Sequence, residues 1–317
     1  MTEPDKRFWK DKVVLVTGAD GFAGSHLCDA LNKLGAKVMA FVKPGQLENI
    51  KDISGIQTVC GDILDYQSLL TATKHVDVLF HAAAITLIPE TRAVISNTFA
   101  VNSMGTLNAL MASKENDVKK IVYISTCHVY GKQEKLPITE EKIPKPVDIY
   151  SASKLAGEHL CTSFVQMFGM DISISRAFHH FGPRQREEFL IPTIIIKLLK
   201  GGEVKLGNPS PTRDFSYVSD IVEGYILLAE RGKIGEVYQF CSGVERTVKS
   251  IADDIIKLGD FSTEIKWDPK ARPVDLPRSF GSFEKAKKEF GWRPKTSFED
   301  GITKTIAWFG SKVKRNK

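Results

Sequence analysis

No run of 18 apolar residues occurs in the 317-residue chain, so no membrane-spanning helix and no membrane partner are expected. The first ten residues are charged and polar, with no apolar h-region, and no secretory signal is expected either. Cysteine is scarce. Cys28, Cys60, Cys127, Cys161 and Cys241 form no CxxC pair and no metal-ligand spacing, so no metal site is expected. Their odd number and largely apolar surroundings predict free thiols in a reducing, cytoplasmic setting. A basic stripe interleaved with aromatics is missing, which argues against a nucleic-acid partner. The net charge of +6 arises from interspersed residues and from the tail Lys312-Val313-Lys314-Arg315-Asn316-Lys317, expected to be a solvated, frayed end. No internal repeat or low-complexity segment stands out.

What is present is a regular alternation. Val13-Val14-Leu15-Val16 is a continuous apolar run, as expected of a strand buried on both faces. Gly18, Gly21 and Gly24 follow, and then Leu27, Ala30, Leu31 and Leu34 line one helical face. Val38–Val42 completes a βαβ unit. A glycine turn at a helix N-terminus places free N–H groups and the positive end of the helix dipole where a pyrophosphate can sit. The glycines let backbone approach the phosphates and let the helix pack on the strand. Strands are expected at 57–60, 76–80, 120–125 and 171–178. Helices are expected at 66–73, 93–114 and 149–168.

This pattern predicts an α/β fold with a doubly wound parallel (Rossmann) sheet. Residues 1–178 would form the dinucleotide-binding domain, with 214–243 returning to it. Residues 179–213 and 244–317 would form a smaller, discontinuous substrate lobe. Short helices are expected there at 191–199, 248–258, 283–290 and 298–309.

Ligands of such sheets bind outside the carboxyl ends of the strands, where Asp62, His81, Thr126 and His179 fall. Tyr150 and Lys154 are four apart and share a helix face. Alone, such a pair is an ordinary set of helix neighbours. A Lys ammonium near a phenol would lower the phenol pKa and make it a base for a sugar hydroxyl. Thr126 would share the hydrogen bond to the reacting oxygen.

An ordered series of motifs carries a resemblance. It comprises Thr17-Gly18-Ala19-Asp20-Gly21-Phe22-Ala23-Gly24, Gly61-Asp62-Ile63, His81-Ala82-Ala83-Ala84, Asn102 to Gly105, and Ser125-Thr126 with Val129-Tyr130-Gly131. Tyr150-Ser151-Ala152-Ser153-Lys154, Phe181-Gly182-Pro183-Arg184-Gln185, Arg213-Asp214-Phe215, Arg272-Pro273 and Gly291-Trp292-Arg293-Pro294 follow. From about Lys12 to Phe309 the chain resembles the extended short-chain dehydrogenases/reductases, specifically the nucleotide-sugar epimerases and dehydratases such as UDP-glucose 4-epimerase.

The resemblance implies an NAD(P) cofactor and a nucleotide-diphosphate sugar substrate. Tyr150 would be the catalytic base, Lys154 would hold the nicotinamide ribose and tune Tyr150, and Thr126 would align the substrate hydroxyl. Gly18, Gly21, Phe22, Ala23, Gly24, Asp62, Ile63, Ala82, Ala83, Ala84 and Asn102 would line the cofactor. Arg213 and Arg272 would clamp the substrate diphosphate, as planar guanidinium groups do. Asp275 would hold the nucleotide ribose. A homodimer would form through the helices at 93–114 and 149–168.

Three departures matter. Dehydratases of this family carry Asp-Glu or Ser-Glu directly after the catalytic Thr, whereas this chain has Cys127 and His128 in the sugar pocket. That removes the usual acid and base for eliminating water. Second, the strand expected at Val38–Val42 runs into Lys43, with no acid for the adenosine ribose. This leans toward NADP, although an epimerase is expected to use NAD. Third, His179 stands where the family commonly has Asn. The leading expectation is a nucleotide-sugar 4-epimerase. The alternatives are an NADP-dependent 4-keto-sugar reductase and an atypical 4,6-dehydratase in which His128 replaces a carboxylic acid.

Overall fold

β1 (Val13–Thr17) is buried at four of its five positions and pairs with a parallel neighbour on each side. The structure is a computed structural model and describes residues 3–87, 93–268 and 276–315. Around β1 lie β2 (Lys37–Val42), β3 (Gln57–Cys60), β4 (Val78–His81), β5 (Lys120–Thr126) and β6 (Ile172–Ala177). With the strand Val237–Phe240 they form a seven-stranded sheet in the order Val237–Phe240, β6, β5, β4, β1, β2, β3. Every pairing in it is parallel. The strand order reverses between β1 and β4, and the crevice outside their carboxyl ends is the natural ligand site of such a sheet.

The twofold side-chain period of the strands divides the core. Val14 and Val16 face a cluster with Leu27 and Leu31 of the helix Phe22–Lys33 and with Val222 and Ile226 of the helix Val218–Arg231. Leu15 and Leu79 face the other side, with Leu110 and Phe164 from the helices Gly105–Glu115 and Ile149–Phe168. A third core is separate. Phe181, Ile194, Ile195, Ile251, Ile255, Phe298 and Ile302 pack together away from the sheet.

Three segments differ from the sequence expectation. The helix expected at 93–114 is broken into Ile95–Phe99, a π-helical turn at Ala100–Met104 and Gly105–Glu115. Insertions of this kind gather at functional sites, and here the turn carries Asn102. The helix Glu284–Phe290, expected in the substrate lobe, packs against the main sheet. Phe290 meets Tyr238 at 4.6 Å and Trp292 meets Phe240 at 4.9 Å, because these large apolar rings bury on the edge strand. The last helix runs Phe298–Arg315, so the basic tail is helical through residue 315, and Lys312 pairs with Glu48 at 3.2 Å.

All five cysteines are free thiols, and Cys60 is the exposed one. Among the described residues, no helix is long and apolar enough to cross a membrane.

Candidate active site

The glycine turn after β1 is closed so tightly that side chains do not fit. Gly18 has φ +67°, and a Cβ there would stand 2.8 Å from the backbone of Ala83. A Cβ on Gly24 would lie 2.2 Å from the Gly18 carbonyl oxygen. Gly21 caps the helix with extended backbone and no side-chain bond. The first-turn N–H groups, Phe22 and Ala23 among them, have no intrahelical partner by helix geometry. These residues fit a dinucleotide pyrophosphate, a cradle of backbone donors. The loop Ala82–Ala84 closes the other side, and the Ala83 N–H donates to Thr17 Oγ1 at 3.3 Å.

Beyond the cradle, Lys43 at the end of β2 lies 3.2 Å from Asp62. Asp62 also accepts from the Leu64 N–H at 2.9 Å. Ile63, expected at the cofactor, is buried under Gly105, where a Cβ would stand 2.5 Å from its side chain. Its role is packing. Asp20 was not foreseen. Its carboxylate accepts from the N–H groups of Glu48, Asn49 and Ile50 and pins the loop after β2 to the glycine turn. An acid inside the glycine motif was the available signal.

Thr126 ends β5 and caps the 3₁₀ turn Cys127–Tyr130, accepting from the His128 N–H at 3.2 Å. Tyr150 is the second residue of the helix Ile149–Phe168. That helix starts sharply because Asp148 and Ser151 form a capping box, and it ends at Gly169 in the left-handed region. The Thr126 hydroxyl acts on the Tyr150 phenol and pulls its pKa down, against the larger upward push of burial. The structure therefore brings Thr126 and Tyr150 together as expected.

Lys154, one turn beyond Tyr150 on the same helix, places its ammonium 4.2 Å from the centre of the Tyr123 ring. Burial pushes the Tyr150 phenol up, opposite to the expected sign. Burial pulls Lys154 down to about 8, against the pull of Cys161 and Glu158. The same ammonium acts on His81, which burial lowers to about 3, so its imidazole is neutral. His81 is fixed by Thr17 Oγ1 at 2.8 Å and Thr106 Oγ1 at 3.1 Å.

Two supports of this helix escaped sequence reasoning. Glu158 continues the Tyr150–Lys154 face one turn further. Its carboxylate accepts from the Ser125 hydroxyl and from Arg176 of β6, through Nε at 3.0 Å and Nη2 at 2.6 Å. Arg176 also lies over the Tyr130 ring at 4.7 Å. An Arg inside the apolar strand β6 was the signal. Asn102, expected at the cofactor, is buried and also carries hydrogen bonds that hold the site together. Its amide accepts from the Ile85 N–H at 2.8 Å and donates to Ser153 Oγ at 2.9 Å. It thereby ties the loop after β4 to the helix of Tyr150.

On the substrate side, His128 sits 5.8 Å from the Tyr150 ring and 5.2 Å from the His179 ring, centre to centre. Burial lowers both histidines, and Arg213 lowers them further. Cys127 is buried, and its thiol is pushed up to about 12. Arg213 donates to the carbonyls of Thr212 at 2.8 Å and Leu276 at 2.7 Å. The neighbouring Asp214 accepts from Ser242, Gly243 and Gly281 and knits the lobes together. Sequence spacing hid one feature: Cys127, His128 and His179 meet in space, contrary to the expectation of no metal-ligand grouping. Arg272 and Asp275 lie outside the described residues.

The family model described as GDP-mannose 4,6 dehydratase matches residues 15–305. Among curated relatives, the chain is similar to a GDP-6-deoxy-D-mannose reductase of Pseudomonas aeruginosa, 30% identical, covering 95% of this chain and 98% of the relative. Among solved structures, it is similar to a UDP-glucose 4-epimerase of Thermotoga maritima with UDP-glucose, at TM-score 0.90 and 28% identity, covering 95% and 99% of the two chains. It is also similar to a dTDP-glucose 4,6-dehydratase of Streptomyces venezuelae with NAD bound, at TM-score 0.88 and 27% identity, covering 96% and 98%.

Proposed function

This chain belongs to the nucleotide-sugar dehydratase, epimerase and reductase family represented by the GDP-mannose 4,6 dehydratase model, and within it we propose an NAD-dependent nucleotide-sugar 4-epimerase. The observation that carries this reading is the pocket beside Tyr150. The two positions after Thr126 hold a buried thiol and an imidazole whose pKa burial lowers, in place of the carboxylates that a dehydratase uses. Thr126 and Tyr150 remain as the neighbouring hydroxyls for moving a single hydroxyl proton.

A nicotinamide held at this cradle would supply the hydride acceptor and donor for the sugar carbon. Tyr150 takes the hydroxyl proton as the sugar is oxidised and gives it back as the ketone is reduced. Thr126 shares the hydrogen bond to the same oxygen. Lys154, with Tyr123 on one side and Glu158 behind it, would hold the nicotinamide ribose and add positive charge to the site. That charge would counter the upward push of burial on Tyr150. Arg213, with Arg272, would bind the diphosphate. Pairing of Lys43 with Asp62 offsets the one cation at the end of β2, which supports NAD.

A second reading is an NADP-dependent 4-keto-sugar reductase. It uses the same Thr126 and Tyr150, and Lys43 favours it as a cation placed toward a 2′-phosphate. One experiment separates the two. The nucleotide that copurifies is identified, and the protein is incubated with UDP-, GDP-, CDP- and dTDP-sugars. Bound NAD with a C4-inverted product supports the epimerase. Net NADPH consumption supports the reductase. A 4-keto-6-deoxy product overturns both.

A homodimer completes the reading. Ile95, Phe99, Met104 and Met111 on one helical segment, and Met167 and Phe168 on another, are exposed. Large apolar side chains gathered on two helices suit a second copy of the chain. Sedimentation at monomer mass would overturn this.

A further inference from the structure

The 3₁₀ turn after β5 and the strand His179–Phe181 bring three metal-ligating side chains to one point. The Cys127 Sγ and a ring nitrogen from each of His128 and His179 lie within 4.8 Å of one another. One thiol and two imidazoles form a soft, nitrogen-rich set suited to Zn²⁺ and its surrogates and unsuited to Mg²⁺ or Ca²⁺. Three protein ligands leave a fourth position open, as in zinc sites that keep an exchangeable ligand. His179 Nδ1 is buried and has no hydrogen-bond partner among the described residues. Buried polar atoms are rarely left so. Charges of both signs surround the cluster: Asp148 acts on His128 and Asp214 on Cys127, while Arg213 acts on all three side chains.

We propose that Cys127, His128 and His179 bind a thiophilic divalent cation, Zn²⁺ or Co²⁺, and that the bound ion occludes the pocket beside Tyr150. Binding forms one S–metal and two N–metal bonds. It breaks the Cys127 S–H bond, the proton passes to solvent, and no electron changes hands. The His128 ring is 5.8 Å from the Tyr150 ring, so the ion occupies the approach to the phenol. The site is therefore inhibitory. Occlusion rests on the reading of this pocket as the sugar site; metal binding itself does not.

The test uses the full chain, stripped of metal by chelation and titrated with Co²⁺ in the absence of any sugar. One equivalent is expected to bind with a thiolate-to-cobalt charge-transfer band, displaced by Zn²⁺. Cys127→Ser should abolish the band. His179→Asn should weaken binding by at least about tenfold, the smallest loss seen when even an outer-shell partner is disturbed. Circular dichroism establishes that each variant is folded, and His128→Gln replaces His179→Asn if the latter is not. Absence of the band, or its persistence in folded Cys127→Ser, overturns the site. Full turnover with the metal bound overturns occlusion. A wrong sugar assignment leaves the cobalt titration unchanged, so the two failures are distinguishable.

Discussion

Glu158→Ala removes the carboxylate that holds three donors inside the protein. Ser125 Oγ and both Arg176 nitrogens lose their acceptor, and the Arg176 side chain is only 7% exposed. Its guanidinium would be left with the Tyr130 ring and the weaker pull of Glu140, with no carboxylate bonded to it. Breaking a buried pair by removing one partner costs about 3–5 kcal/mol, because the remaining charge is neither hydrated nor paired. At roughly 2 °C per kcal/mol for a chain of this length, the melting temperature should fall by about 6–10 °C. Replacing both partners by methionine removes the charge along with its partner, and should cost less than about 2 kcal/mol. Urea titration of the wild type, Glu158→Met, Arg176→Met and the double methionine variant gives the coupling energy directly, expected above about 2 kcal/mol. The double variant should also fold with Lys154 less firmly counterbalanced, so its turnover should fall more than its stability. If Glu158→Ala loses under 1 kcal/mol, or if the double variant loses the sum of the singles, the pair is not the buried anchor described above.

Tyr150→Phe keeps the ring and deletes the proton carrier. Turnover should drop by about 10²–10⁴-fold, the usual worth of a positioned acid–base group, while bound nucleotide is retained; activity within tenfold of wild type would remove Tyr150 from its role. Gly24→Ala places a methyl 2.2 Å from the Gly18 carbonyl, so cofactor retention on purification should be lost. Wild-type nucleotide content in that variant would show that the turn can relax. His81 and His26 are lowered to about 3 and about 4 by burial, so the folded state resists their protonation while the unfolded chain accepts it below about 6.5. Each should leave stability unaffected above pH 6.5 and withdraw it as the pH falls toward its folded value, by up to about 1.4 kcal/mol per pH unit. Urea melts at pH 7 and pH 5 should show this loss in wild type and a smaller one in His81→Asn. Equal slopes would mean that His81 is not the titrating group.

The parts of the site that were legible in the sequence depend on backbone. Gly18, Gly21 and Gly24 declare a turn that no Cβ tolerates, and the apolar runs at 13–16 and 78–80 declare strands buried on both sides. Thr126 and Tyr150 meet because a strand end and a capped helix start are fixed points of that backbone. What was not legible depends on where side chains go once the backbone is set. Cys127 and His179 are far apart in sequence and adjacent in space, and no spacing rule reports that. Asn102 resembled a cofactor contact, and spacing does not report that a π-helical turn also sets it against Ile85 and Ser153. Lys154 is the sharpest case. Spacing of four puts Tyr150, Lys154 and Glu158 on one face of a helix, which is correct, yet it does not say which neighbour takes the ammonium. The answer lies two strands away. Arg176 neutralises Glu158 from β6, Tyr123 offers its ring from β5, and Lys154 lies against that ring at 4.2 Å. Burial pushes the Tyr150 phenol up, so its use as a base would need a positive charge brought close to it, and Lys154 on the same helix face would be the side chain to supply one.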